Sequence, residues 1–358
     1  MRTLISYIVP ALLVVTTSAM ATEYPELNFG GYIMLDHDQF SDLFLEDDEK
    51  SNHGTDIRRA RLSVKTKFSE NWRSKFQVDV ADGEFNIKDA YVQYKGFDWV
   101  DITVGQQKEP LGLEKLTSSR DTFMIERSMV TEVLAPGRNI GVKLSGTPGD
   151  FTWDLGYFQE DNSQNSYGIT GRLTWALVDD DDNFFHLGSA LSERQLGGDE
   201  YRVNQTLEVY SSDSLLEGTR LDAEDMSLAS VELMWQYLGF VSMAEWIETD
   251  IDDPSRGTYH YQGGYYQMSY PLSGKNRRYK DGKLDTIKAE HDWELTWRMS
   301  QFELDQENRK AQTFAVGVNY LVNQDLMFKA NFIRAKHQED GATYGYDNAF
   351  SFRAQYSF

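Results

Sequence analysis

The 358-residue chain contains no cysteine, which excludes a disulfide framework and any thiolate chemistry. Its six histidines, His37, His53, His186, His260, His291 and His337, are scattered, and none belongs to an H-E-x-x-H or similar ligand spacing. A G-x-S-x-G elbow and a D-x-D-x-D-G calcium loop are both missing. The sequence therefore offers no catalytic residue, no metal ligand and no cofactor site, and it reads as a non-enzyme. The triplet Glu290-His291-Asp292 falls on a predicted strand, whose alternation sets His291 opposite its two neighbours. Positive charge is scarce: 35 Lys and Arg face 57 Asp and Glu, a net charge of -22, which argues against a nucleic-acid partner. Long apolar runs are also lacking. Past the first residues, nothing approaches the ~18 apolar residues of a membrane-spanning helix.

What is present begins at the two ends. Arg2 precedes an apolar run from Leu4 to Val15, and Ala19-Met20-Ala21 forms a small-residue cleavage site. Residues 1–21 are expected to be a cleaved secretory signal peptide, because the run is too short to span. At the other end, Phe350, Phe352, Ala354, Tyr356 and Phe358 alternate with Ser351, Arg353, Gln355 and Ser357. One face suits lipid, the other suits water, and an aromatic residue ends the chain, as in the closing strand of an outer-membrane barrel.

Residues 22–358 read as one all-β domain, a transmembrane antiparallel β-barrel of about 16 strands. Leu27, Phe29, Ile33 and Leu35 face outward on the first strand. The second alternates Ala60, Leu62, Val64, Thr66 and Phe68 with Arg59, Arg61, Ser63, Lys65 and Lys67. Arg73 and Lys75 join the inner face from the third. Short links alternate with longer ones, as periplasmic turns alternate with external loops. The connection Pro271–Lys288 is long where a short turn is expected. Acidic segments, Glu46 to Glu49, Asp179 to Asp182 and a loop near Glu193–Asp225, are expected in connections. Such acids either bridge through divalent cations to lipopolysaccharide phosphates or stay solvated. Of the 8 Trp, 20 Tyr and 20 Phe, many fall near strand ends, including Trp72, Phe97, Trp99, Trp153, Trp175, Tyr237, Phe240, Tyr270 and Tyr320. Aromatic girdles at the membrane interfaces account for them; Gly263-Gly264-Tyr265-Tyr266 is a rival candidate for a stacking track inside the lumen.

The alternation stops over Lys108–Pro136. A loop that long inside a compact domain is usually functional or disordered, and in large barrels one such loop folds into the lumen and narrows it.

Several segments together resemble the phosphate-selective porin O and P family. They are Thr55-Asp56-Ile57-Arg58-Arg59-Ala60-Arg61-Leu62, Lys88-Asp89-Ala90-Tyr91-Val92-Gln93-Tyr94, Gly105-Gln106-Gln107-Lys108-Glu109-Pro110-Leu111-Gly112-Leu113-Glu114, Gly137-Arg138-Asn139-Ile140-Gly141-Val142-Lys143-Leu144 and Val316-Gly317-Val318-Asn319-Tyr320-Leu321. The resemblance implies a trimeric sixteen-stranded barrel in the outer membrane of a Gram-negative bacterium, embedded among lipid and lipopolysaccharide. It implies a third external loop folded inward, with residues 108–136 as the constriction. It also implies an arginine ladder, carried over onto Arg58, Arg59 and Arg61, and small ions or phosphate as the solutes.

The residues themselves leave selectivity open. Arg59, Arg61, Lys65, Lys67, Arg73 and Lys75 can form an anion path of weak successive sites. Lys108, Lys115, Arg120, Arg127 and Arg138 in or beside the loop are matched by Glu109, Glu114, Asp121, Glu126 and Glu132. Glu232, Glu245, Asp292 and Glu294 on later strands face inward near Arg298. A passive pore with anion preference, a general or cation-preferring pore, and a closed structural or adhesive barrel are the three readings carried forward.

Overall fold

The computed structural model describes residues 24–41, 44, 51–160, 166–178 and 182–358. The expected signal peptide, the acidic run Glu46 to Glu49 and Asp179 to Asp181 lie outside the described residues.

In chain order the strands are β1 (Glu26–Phe40), β2 (His53–Lys67), β3 (Trp72–Asp79), β4 (Asn86–Tyr94), β5 (Asp101–Lys108), β6 (Arg138–Gly146), β7 (Phe151–Gln159), β8 (Tyr167–Val178), β9 (Phe184–Tyr201), β10 (Asn204–Gln205), β11 (Leu216–Glu217), β12 (Leu221–Tyr237), β13 (Phe240–Asp253), β14 (Gly257–Pro271), β15 (Arg277–Lys280), β16 (Lys283–Ile287), β17 (Asp292–Leu304), β18 (Arg309–Leu321), β19 (Leu326–Glu339) and β20 (Ala342–Ser357). Sixteen of them close an antiparallel barrel, while β10–β11 and β15–β16 form separate two-stranded sheets. Two short helices, α1 (Leu113–Leu116) and α2 (Met129–Val133), lie in the connection after β5. Among the described residues no helix is long and apolar enough to cross a membrane.

Closure joins β1 to β20, with Tyr32 opposite Ser357 and Phe40 opposite Ala349. The Phe358 carbonyl accepts from Gly31 N at 3.0 Å, and Phe358 N donates to the Gly31 carbonyl at 3.1 Å. Gly31 is required there: a Cβ would stand 2.5 Å from the Arg61 carbonyl and from the Phe358 ring. The alternation sorts as expected, with Phe29 at 73% exposure on the outer face and Arg353 at 0% on the inner one. The periplasmic rim carries an aromatic chain, Trp72–Tyr94–Phe97–Trp99, with adjacent ring centroids 4.8 to 6.5 Å apart. Tyr265 points inward and is buried, whereas Tyr266 faces out and bonds Ser242.

Two expectations, the extent of the Glu193–Asp225 loop and the strand placement of His291, need correction, while the Pro271–Lys288 connection is long as expected. The loop placed near Glu193–Asp225 is shorter, because β9 runs on to Tyr201 and β12 begins at Leu221. Ser192, Arg194 and Leu196 are buried while Leu191 is exposed, so the alternation continues beyond the apolar band and the acidic residues there belong to strand. The long connection Pro271–Lys288 is a hairpin, β15–β16, whose side chains reach the inner wall. His291 is in a turn with φ 51°, and β17 starts only at Asp292, so strand alternation does not set its direction.

Candidate functional site

The connection after β5 crosses to the far wall of the barrel. Leu111, Leu113, Met124, Met129 and Val130 are buried, packed with Met243, Tyr265 and Phe302 of the inner wall. Leu113 N donates to Glu245 Oε1 at 2.7 Å, and Ile125 N donates to Asn331 Oδ1 at 2.7 Å. Ser128 caps α2 by accepting from Thr131 N. Lys108 Nζ donates to the carbonyls of Lys115, Leu116 and Thr117, closing the last turn of α1.

The acidic residues of this loop are its anchors. Glu109 takes Arg194 in a two-pronged pair at 2.8 and 3.0 Å. Glu114 accepts from Ser128 N at 2.9 Å and meets Arg298 at 3.3 Å. Glu126 accepts from Arg58 at 3.0 and 2.9 Å and from Arg353 at 2.8 Å, with Arg59 at 3.7 Å. Burial would raise the Glu126 carboxyl, but Arg58, Arg59 and Arg353 hold it well below the ordinary carboxylate range. Glu132 is pulled down to about 2 against its burial by Lys115 and Arg127. Buried charges of this kind persist only when paired and hydrogen-bonded.

A bulge makes the first cluster possible. The β1–β2 register shifts between Met34 and Leu35, pairing Met34 with Arg59 and Leu35 with Ile57. Arg58 is the extra residue, so both it and Arg59 reach Glu126 while Ile57 stays on the outer face. Simple alternation admits Arg59 and not Arg58.

The inward acids of the later strands are also occupied. Glu232 holds Arg172 and His186, and Glu294 holds Arg277 and Asn319. Arg277 belongs to the β15–β16 hairpin. Tyr279 of the same hairpin lies 2.7 Å from His186 Nδ1, and Arg172 donates to the Gly282 carbonyl at 2.7 Å. Thr286 donates to Asp121 Oδ1 of the β5–β6 connection at 2.7 Å. The hairpin therefore fills part of the lumen from below and meets the external loop that enters from above. Glu208, in the connection between β10 and β11, joins the loop at Met129 N and pairs with Arg298 at 2.6 Å.

Against the remaining wall is a vestibule of about 1200 Å³, lined by twelve basic and seven acidic side chains. Arg61, Lys65, Arg73, Lys75, Lys108, Arg120 and Arg138 are in its lining, and Arg59 sits above them at the Glu126 cluster. Arg61 is paired with Asp79 at 2.7 Å, and Asp89 takes both Lys75 and Arg138. Arg120 lies over the Tyr32 ring at 5.4 Å. Lys65 and Arg73 have no carboxylate within ion-pair distance among the described residues.

The other expected residues are elsewhere. Lys67 is at the rim, 3.4 Å from Glu26, outside the vestibule lining, because β2 has by then reached the end of the barrel. Arg127 and Lys115 are tied to Glu132 within the loop, so they hold it in shape. Reading the sequence missed Lys143, Lys280 and Lys283, which line the vestibule. Strand alternation could have found Lys143, opposite the inward Thr103. Nothing local marks Lys280 and Lys283, which enter only through the hairpin.

Comparison with known proteins completes the site. A family model described as phosphate-selective porin O and P matches residues 28–358. Porin O of Pseudomonas aeruginosa is 23% identical over an alignment covering 95% of this chain and 90% of its own. Among solved structures, an anion-selective porin from Comamonas acidovorans superposes with a TM-score of 0.67 at 12% identity, covering 94% of this chain and 100% of that one. The trimer form of OmpT from Vibrio cholerae gives 0.62 at 13% identity, with 94% and 100% covered.

Proposed function

The chain belongs to the phosphate-selective porin O and P family, and from that premise we propose that it passes small hydrophilic anions through the outer membrane by diffusion along its basic vestibule. It is an outer-membrane porin of a Gram-negative bacterium. One observation carries the anion preference: a chain of net charge -22 has a vestibule where basic side chains outnumber acidic ones. The acids on which a cation-preferring reading depended are spent on anchoring arginines, hairpin and loop. Lys65, Arg73, Lys280 and Lys283, none with a carboxylate in ion-pair range among the described residues, supply the free positive charge. Weak successive contacts of this sort allow an anion to enter and leave.

Residues 108–136 act as the constriction in this reading, together with the β15–β16 hairpin. Phosphate is the favoured solute, since guanidinium and ammonium groups recognise its oxygens. A homotrimer is the expected assembly. The strands β3 to β7 span only 8 or 9 residues, against 18 in β9, and this low wall exposes Phe76, Ile87, Ile140 and Val142 for neighbouring copies to cover.

The test is the zero-current potential of the purified protein in a planar bilayer under a KCl gradient. A reversal potential on the chloride side, reduced in K65Q/R73Q and blocked by added phosphate, supports the proposal. A potential on the potassium side overturns it, and absence of conductance would return the closed-barrel reading.

A further inference from the structure

The outer face of the barrel carries charges that the permeation path does not use. Outward side chains form rows across hydrogen-bonded strands. One row runs Leu187, Leu233, Ala244, Tyr266, Met299, Phe314 and Arg334, each opposite the next in the register. The adjacent row runs Val231, Trp246, Gly264, Gln301, Gln312 and Lys336. Together they border an open depression of about 910 Å³ on the surface that faces lipid. Trp246 lies flat across β14 because residue 264 is glycine; a Cβ there would come 2.5 Å from its Cε3. The small Ala244 deepens the trough beside it.

The rows climb the wall. Leu187 is the fourth residue from the periplasmic end of β9, while Arg334 is the sixth from the external end of β19. The upper end is polar and positive. A register shift between Ala335 and His337 and the positive φ of 41° at Gly345 accompany the swing of Tyr346 outward. Its ring takes Arg334 at 4.9 Å and Lys336 at 5.5 Å. Gln301 and Gln312 bond each other at 3.3 Å just beside them. The nearby acids are engaged: Glu303 pairs with Lys310 and Glu339 with Arg309. Arg334 and Lys336 thus have no carboxylate in ion-pair range among the described residues.

We infer that this face is a binding site for a phosphorylated acyl glycolipid of the outer leaflet, its phosphate at Arg334 and Lys336 and an acyl chain lying down the trough past Met299, Tyr266 and Ala244. Two unmatched cations above an apolar channel fit a lipid with an anionic head and apolar tails. A second copy has a separate place, the low wall of β3 to β7, which exposes Phe76, Ile87, Ile140 and Val142. The inference rests on the outer-membrane reading but not on anion selectivity.

Native mass spectrometry of the detergent-purified full-length mature protein, titrated with diphosphoryl lipid A and with its dephosphorylated form, tests it. The intact protein should hold the phosphorylated form, and R334Q/K336Q should hold it about thirtyfold more weakly. A244W, which fills the trough without touching charge, should weaken binding as well. Heat-modifiable migration and unchanged bilayer conductance in both variants establish that the barrel is intact. Equal retention by R334Q/K336Q, equal affinity for the dephosphorylated lipid, or displacement by millimolar inorganic phosphate would overturn the assignment. So would dissociation of the oligomer in R334Q/K336Q without loss of lipid, which would give the face to a second copy.

Discussion

Glu126 is where loop, arginine motif and closing strand converge, with Arg58, Arg59 and Arg353 on one carboxylate. Arg353 also grips Asp36 of β1 through Nε at 2.6 Å, so the same guanidinium ties the barrel seam to the loop. Removing one partner of a buried pair leaves the others uncompensated, which costs about 3 kcal/mol. E126Q should lower stability by that amount in urea unfolding followed by tryptophan fluorescence, and raise conductance as the loop loosens. The pH dependence has a fixed sign. Carboxyls held below their ordinary value of 4.5, as Glu126 and Glu132 are, contribute stability above that value and lose it as pH falls toward the folded one. Glu132 sits at about 2, so its contribution to the loop should be complete at neutral pH, decline below pH 4.5 and be mostly lost by about pH 2, while Glu126, held well below its ordinary value, goes on anchoring. Hydrogen exchange of residues 113–133 at successive pH values reads this directly; loss of protection already at pH 6 would contradict it.

Among the departures from regular strand geometry, the bulge at Arg58 and the β15–β16 hairpin place charge in the lumen. The bulge at Arg58 holds one residue beyond the ladder. Deleting Arg58 should leave a folded, heat-modifiable barrel, because Ile57 keeps its outward side. Deleting Val64, which is in register with Phe29, should prevent folding, since a one-residue slip turns the remaining β2 side chains to the wrong face. The β15–β16 hairpin does the same on a larger scale. It brings Lys280 and Lys283 into the vestibule and wedges Arg277 between Glu294 and the Phe123 ring. Replacing residues 274–289 by a two-residue turn should increase single-channel conductance and reduce anion preference. An unchanged channel would remove the hairpin from the permeation path.

At the scale of the whole molecule the two faces obey different solvents. Val316, midway along β18 and 40% exposed, faces lipid, while Asn319 on the same strand is 0% exposed in the lumen. V316R should cost about 2–4 kcal/mol in vesicle unfolding. The lumen-facing K65Q should cost little and change ion selectivity instead, since among the described residues Lys65 has no carboxylate in ion-pair range to leave behind. The sum of charges misleads about the pore because it averages over regions that never meet. Acids anchor the loop and hairpin, and the vestibule retains the basic excess.

The architecture was legible in the chain's alternation alone. Alternation with a period of two and an even, closed set of strands suit a backbone that must pair every polar group while showing lipid one face. It also marked Arg59, Arg61, Lys65, Arg73 and Lys75 as inward, since facing depends on position along one strand. It could not tell path from anchor. Arg127 and Lys115 are tied to Glu132, a partner that the fold of the loop brings close, whereas Arg73 has no carboxylate in ion-pair range among the described residues. The Arg58 bulge, the hairpin lysines and the pairing of Glu232, Glu245 and Glu294 were likewise decided by tertiary structure. Each depends on contacts between segments tens to hundreds of residues apart, and no local pattern records such a distance.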